Sequence, residues 1–324
     1  MRQNLQLDFL PDVLPAALRR INKGLPCAAI QEAILKISNV EGGTLEQRNE
    51  TFMDYLQSGV EVHFFDGKEE RDDIVRLLDF NNPENNDFHI VNQWTFVEYS
   101  NKRPDLIAFV NGMPLVMFEL KSPSREETDA SDAYLQLRNY MQHIPSMFVP
   151  NVFCVMSDMS ETRVGTITAN EDRFVSWKSV DGNYANTRAA TWKTMLDGMM
   201  PKARLLNIIK NFVCFGDTSS NVIKILAGYH QYFGVSKAIE RAQQAVNGDG
   251  KIGVFWHTQG SGKSLSMVFF AHLLQERLEN PTIVVITDRN DLDDQLYGQF
   301  CRCKAFLRQV PVQAASRQDL KDKL

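Results

Sequence analysis

The stretch RPDLIAFVNGMPLVMFELKSP, residues 103–123, reads as two short strands joined by a turn. Asn111 and Gly112 separate the two apolar runs, and a two-residue Asn-Gly connection is a strong hairpin signal because both positions of such a turn take positive φ. The second run, Pro114 to Phe118, ends on Glu119, Leu120 and Lys121. Charges at the end of a buried strand are costly unless each has a partner or a metal. Residues 119 and 121 leave the same face of a strand, and the hairpin folds Asp105 back toward them. Magnesium takes oxygen ligands, usually one or two carboxylates together with waters and phosphate oxygens. Asp105 and Glu119 are therefore the candidate metal ligands. Lys121 is the candidate for orienting a water or stabilising charge that develops on a phosphate. The same residues also suit a surface hairpin whose exposed pair contributes only ~0–1 kcal/mol, but the apolar run before Glu119 favours a core strand.

Outward from this hairpin the pattern is that of an α/β core. Apolar positions over residues 12–37 recur at helical spacing and break at Gly24 and Pro26, which predicts two helices. Thr44 and Gln47 form a capping-box pattern for a third helix that Gly59 ends. Val60, Val62 and Phe64 then alternate as a strand, residues 81–86 (NNPENN) read as a loop, and IVNQWTFVEY (90–99) reads as a strand before the hairpin. A helix is expected over 129–142, closed by Pro145, followed by a strand at 151–158 and a further one in RVGTITA (163–169). Residues 191–228 read as helical and as a bridge to a second half.

That half begins with the Gly- and Asp-bearing stretch AVNGDGKIG and an apolar strand, 253–256. A loop, a helix, the strand TIVVITD (282–288) and the helix DLDDQLYGQF follow, as at the start of a parallel doubly wound domain. In FWHTQGSGKSLSM, residues 255–267, a strand leads through glycines into a helix. Gly260 and Gly262 let successive N–H groups, in the run Thr258, Gln259, Gly260, Ser261 and Gly262, converge on phosphate at a helix N-terminus. Lys263 would reach the β and γ phosphates of ATP, and Ser264 would bind its magnesium. His257 replaces the first glycine of the usual G-x-x-x-x-G-K-S/T spacing.

Length and composition bound the rest. The 324 residues suffice for two domains, and 44% hydrophobic with 23% charged residues is ordinary for a globular chain. A formal net charge of -5 argues against a uniformly basic nucleic-acid coat and confines any DNA contact to a local groove. Five scattered cysteines fit free thiols and a reducing, cytoplasmic setting, and Cys301 with Cys303 lack the second pair a zinc site needs. No apolar run approaches the ~20 residues of a membrane span, so no membrane partner is expected.

Pro104-Asp105 followed by Glu119-Leu120-Lys121 resembles the PD-(D/E)xK nuclease motif, and Gln136 with Tyr140 resembles the Gln-x-x-x-Tyr element of its RecB-like branch. That resemblance implies that Gln136 and Tyr140 help to position DNA or the catalytic lysine; a plain helix with Tyr140 inward and Gln136 outward is the alternative. Gln231 resembles the adenine-reading Q motif of superfamily 2 helicases. Thr287, Asp288 and Arg289 resemble the following helicase motif, and both a DNA-facing role and simple capping by Asp288 or Asn290 stay open.

Together these segments resemble the N-terminal part of the R subunit of type I restriction endonucleases. The resemblance implies a restriction-endonuclease-like core (1–185), a helical connector (186–228) and the first part of a RecA-like motor domain (229–324). It implies magnesium-dependent cleavage of double-stranded DNA with Asp105, Glu119, Lys121, Gln136 and Tyr140, and ATP bound by Gln231 and residues 258–264. Methylation and specificity subunits are the implied partners. No acidic Walker B strand follows residue 296, so a fragment without ATPase activity of its own is expected. The competing readings are a DNA- or subunit-docking domain with an inert Asp-Glu-Lys set, and a nucleotide-binding enzyme acting on small molecules.

Overall fold

In the computed structural model of the chain, residues 8–121, 130–158, 161–183, 186–187, 189–217, 221–279 and 281–324 are described. The chain divides into two compact units: residues 1–213 with 222–229, and residues 214–221 with 230–324.

The first unit opens with helices α1 (Val13–Ile21), α2 (Cys27–Ser38) and α3 (Leu45–Ser58). The capping box forms as the sequence predicts: Thr44 Oγ1 accepts from the Gln47 N–H, and Gln47 Oε1 accepts from the Thr44 N–H. Strands β1 (Val60–Phe65) and β2 (Glu70–Val75) form an antiparallel hairpin. The sequence reading missed β2 because ERDDIV carries no apolar alternation; five of its six positions are exposed.

The central sheet has five strands in the order β3-β6-β7-β8-β9. Between β3 (Phe88–Asn92) and β6 (Leu106–Val110) lie the short paired strands β4 (Phe96–Val97) and β5 (Asn101–Lys102). The run 90–99 is thus not one strand. Gln93, at φ 52, breaks it and donates its backbone N–H to the Asp105 carbonyl at 2.9 Å. β7 (Met113–Leu120) occupies the middle, buried from Met113 to Glu119. It pairs antiparallel with β6 and parallel with β8 (Phe153–Ser157), and helix α4 (Ala130–His143) makes the crossover. A buried central strand covered on both faces reads as a continuous apolar run, as seen here. α4 covers one face, where Met117, Ile107, Phe109, Leu137 and Tyr140 share a core. On β7, Phe118 instead meets the Trp192 ring at 5.6 Å.

β9 (Thr162–Gly165) is shorter than the run 163–169, because Thr166 and Thr168 turn their hydroxyls to the backbone of Lys224. The expected helix over 129–142 matches α4, with residue 129 outside the described residues. Residues 191–228 are not wholly helical. They hold α5 (Trp192–Met199), α6 (Lys202–Asn211) and strands β10 (Val213–Asp217) and β11 (Val222–Leu226). α6 is tied to the first unit, where Gln57 Nε2 donates to the carbonyls of Ile209 and Val213 at 2.8 and 2.9 Å.

The second unit contains α7 (Tyr229–Ala245, from His230 onward), α8 (Lys263–Arg277) and α9 (Asn290–Arg302). The apolar segments 253–256 and 282–288 do not form strands, contrary to the sequence expectation. Val254 is 94% and Ile286 85% exposed. Parallel strands persist where neighbours satisfy both edges and helices cover both faces, and among the described residues these segments lack such a ladder. Nor does Asp288 or Asn290 cap α9: the N-cap is Arg289, which has no acceptor to offer.

The hairpin turn between β6 and β7 fixes the register of the sheet. Asn111 (φ 50) and Gly112 (φ 81) both adopt left-handed conformations. The buried Asn111 amide accepts from the Asp87 N–H and donates to the Leu77 carbonyl and Asn86 Oδ1. A Cβ on Gly112 would lie 2.9 Å from Leu14 N and 3.1 Å from Leu10 O. Gly112→Ala is therefore expected to destabilise the first unit by about 1–3 kcal/mol, measured as a lower urea midpoint with an unchanged m-value.

Candidate active site

β6 and β7 bring the predicted acidic residues together. Leu106 pairs with Phe118, so one step further along the ladder Asp105 stands across from Glu119. Directly opposed residues of an antiparallel pair project from the same face. Asp105 is clasped from two sides: Oδ2 accepts from the Leu120 N–H at 2.9 Å, and Oδ1 accepts from Gln93 Nε2 at 3.2 Å. Glu119 is only 4% exposed. Its Oε1 accepts from Lys121 Nζ at 3.0 Å. Lys121 is itself held by its backbone N–H, which donates to the Ser157 carbonyl of β8 at 2.8 Å.

Glu119 Oε2 is buried and completes no hydrogen bond among the described residues. Burial raises the Glu119 carboxyl above its ordinary range, opposed by Lys121 and the Tyr140 hydroxyl and reinforced by the Asp105 charge. From α4, one turn apart, Gln136 and Tyr140 face this group, and the Tyr140 hydroxyl stands close enough to feel it. Its burial and the Glu119 charge both raise the Tyr140 phenol. All five predicted residues thus gather at one end of the sheet, beside an open cleft of ≈ 540 Å³ lined by Lys102, Lys121, Asp132, Leu135, Gln136 and Asn139. The sequence reading did not single out Lys102, Asp132 or Asn139. Helical spacing from Gln136 points to the latter two, whereas Lys102 reaches the cleft only through the β4–β5 hairpin.

An orphaned buried carboxylate oxygen beside a second carboxylate suits a hard divalent cation that prefers oxygen donors. Asp105 and Glu119 fit such an ion, and among the described residues no cluster of three or more His, Cys, Asp or Glu offers a different metal set.

In the second unit, Gly260 (φ 79) and Gly262 (φ 78) take the left-handed conformations that the phosphate-loop pattern requires, and Gly262 is the N-cap of α8. Lys263 Nζ donates to the carbonyls of His257 and Thr258 at 3.0 and 2.9 Å, and Ser261 Oγ donates to the Thr258 carbonyl at 2.8 Å. Thr258, Gln259 and Gly260 are exposed, and Ser264 is half-buried at the start of α8. Gln231, buried on α7, donates Nε2 to the Gly262 carbonyl at 3.0 Å, so its amide braces the loop. Burial, His230 and Lys263 together lower the His257 imidazole. Thr287 donates its hydroxyl to Asp293, and Arg289 pairs with Asp291 on its own helix.

The sequence model of the family described as type I restriction enzyme R protein N terminus matches residues 7–173. The chain is 41% identical over 321 residues to the type I restriction enzyme HindI endonuclease subunit of Haemophilus influenzae, covering 96% of this chain. The chain belongs to the type I restriction enzyme R-protein family. A second R-protein relative, the MjaIXP endonuclease subunit of Methanocaldococcus jannaschii, is 32% identical over 88% of the chain. The type I restriction enzyme SauCOLORF180P endonuclease subunit of Staphylococcus aureus is 25% identical over 72%. The chain spans 30%, 29% and 24% of the length of these three relatives. A SWI2/SNF2 ATPase model matches residues 230–324 of this R-family chain, the part that carries the phosphate loop. The R-protein match lies within the first unit and the ATPase match within the second. No helix among the described residues is long and apolar enough to cross a membrane.

The raised Glu119 carboxyl sets a testable sign. A group that binds its proton more tightly when folded contributes stability that is full below its ordinary value of 4.5 and is lost as pH rises through the folded value. Glu119→Gln removes that titration. In EDTA it is expected to melt above the parent chain near about pH 8, with the gap closing toward about pH 4; calorimetric scans across this range that show a constant gap would contradict it.

Proposed function

We propose that this chain is the nuclease and ATP-binding portion of a type I restriction subunit, which hydrolyses DNA phosphodiester bonds with magnesium. The observation that carries the reading is the buried Glu119 Oε2, without a hydrogen-bond partner among the described residues, beside Asp105 and Lys121. Asp105 and Glu119 would hold the magnesium ion, which when bound lowers the pKa of a coordinated water and neutralises charge on a phosphate.

The protein's own groups supply the rest. Lys121 Nζ, fixed by Glu119 and by the backbone bond to Ser157, presents its remaining protons to a phosphate oxygen or to the attacking water. Asp105 cannot rotate freely, because the Leu120 N–H and Gln93 hold both its oxygens. Tyr140 stays a neutral phenol and, with Gln136, closes the helix side of the site around Glu119. Double-stranded DNA is the substrate in this reading, and the intact subunit works with methylation and specificity subunits and couples cutting to ATP-driven translocation.

The test is cleavage of plasmid DNA with magnesium and ATP by the full-length subunit in that assembly. Asp105→Asn or Lys121→Ala is expected to lower cutting by about 10²–10³-fold or more. Cutting that survives both changes would leave the nuclease-like unit a docking module.

ATP would sit on residues 258–264. Lys263 now satisfies the loop's own carbonyls and would exchange those bonds for the β and γ phosphates, with Ser264 on the nucleotide's magnesium. Lys263→Ala is expected to abolish binding of a fluorescent ATP analogue to the chain, followed by titration, while leaving the melting of the first unit unchanged.

A further inference from the structure

The cleft beside Asp105 and Glu119 carries a second cation. Lys102, at the end of β5, lines it together with Lys121, Gln136 and Asn139. Its ammonium has neither an ion-pair nor a hydrogen-bond partner among the described residues. The cleft's own carboxylate, Asp132, is not its ion-pair partner. Among the described residues, Lys102 therefore brings to the cleft of a chain of net charge -5 a positive charge that no carboxylate meets.

Nor is Lys102 on a loose tether. Its strand pairs with β4 through Phe96, and the hairpin is pinned once to the last residue of α4 and once to the 3-10 turn that follows it. The Tyr99 N–H donates to the His143 carbonyl at 3.1 Å, and the Ser146 N–H donates to Glu98 Oε2 at 3.1 Å. The backbone that carries Lys102 is therefore fixed relative to the helix that carries Gln136 and Tyr140. Three residues further on lies Asp105, so the chain delivers an ammonium to the cleft and a carboxylate to the site within one short segment. Arg103, the next residue after Lys102, is exposed and does not line the cleft.

Resting on the nuclease reading above, we infer that Lys102 binds a backbone phosphate of the DNA adjacent to the one held at Asp105 and Glu119, and so sets where the duplex lies on the site. A lysine suits this as a compact point charge that needs no particular phosphate orientation. The contact carries no base information, and it answers the sequence expectation that DNA binding by this acidic chain must be local.

The experiment is fluorescence anisotropy of the 324-residue chain on labelled duplexes of several sequences, with calcium in place of magnesium and over a series of salt concentrations. Lys102→Ala is expected to weaken binding several-fold on every sequence and to make the log–log salt dependence shallower by about one. Lys102→Arg should restore the slope. Arg103→Ala removes an equal charge from outside the cleft and should change the slope much less. Equal effects at 102 and 103, no effect at 102, or no binding by the unsubstituted chain would overturn the inference. Glu119→Gln, assayed for cutting in the full assembly, separates the two readings: normal cutting there ends the nuclease claim while the Lys102 binding result stands or falls by itself.

Discussion

Burying the Glu119 carboxylate at the end of the central strand is the constraint on which the first unit turns. The charge is 4% exposed, and a single ammonium at 3.0 Å does not satisfy both of its oxygens. Desolvating a carboxylate costs several kcal/mol unless charge and hydrogen bonds offset it. A site that leaves one oxygen without a hydrogen bond among the described residues and sets a second carboxylate beside it adds repulsion to that cost. Such an arrangement is stable only because the rest of the sheet holds it there.

The holding is done by backbone geometry more than by side-chain pairing. The Asn111-Gly112 turn sets the β6–β7 register, and the buried Asn111 side chain bonds to Leu77 and to the neighbouring pair Asn86 and Asp87. A slip of one residue would send Glu119 and Lys121 to the opposite face and leave Asp105 behind. At the other end, the break at Gln93 spends a left-handed conformation to reach both the carbonyl and the carboxylate of Asp105. A buried lysine, Lys224, braces the same unit by donating to Asn49 Oδ1 and the Asn151 carbonyl, and burial holds its ammonium well below the ordinary range. Asn49 in turn donates to the carbonyls of Phe148, Val149 and Asn151 just ahead of β8.

The second unit shows how far local geometry goes without a sheet. Its phosphate loop has the two left-handed glycines, the helix start and the returning lysine in place. Those are properties of a short segment, and they form although the flanking apolar segments stay unpaired and exposed. Family membership and the SWI2/SNF2 match say what kind of region this is, and the loop's own hydrogen bonds say which atoms a phosphate would have to displace.

Much of the site was legible in the sequence. The Asn-Gly turn, the two-residue spacing of Glu119 and Lys121, the four-residue spacing of Gln136 and Tyr140 and the capping box are local relations, and periodicity reports such relations directly. Strand β2, the split at Gln93, the strands within 191–228 and the missing strands of the second unit were not legible. Each of these depends on what lies across from it: charged β2 on its partner β1, Gln93 on Asp105, and a parallel strand on neighbours at both edges. By itself the sequence determined which side chains share a face and which loop can turn on glycine. Tertiary structure alone decided that Glu119 would be buried and that Lys102 would reach the same cleft as Lys121 and Gln136, because burial and cross-strand distance arise only when segments far apart in the chain are packed together.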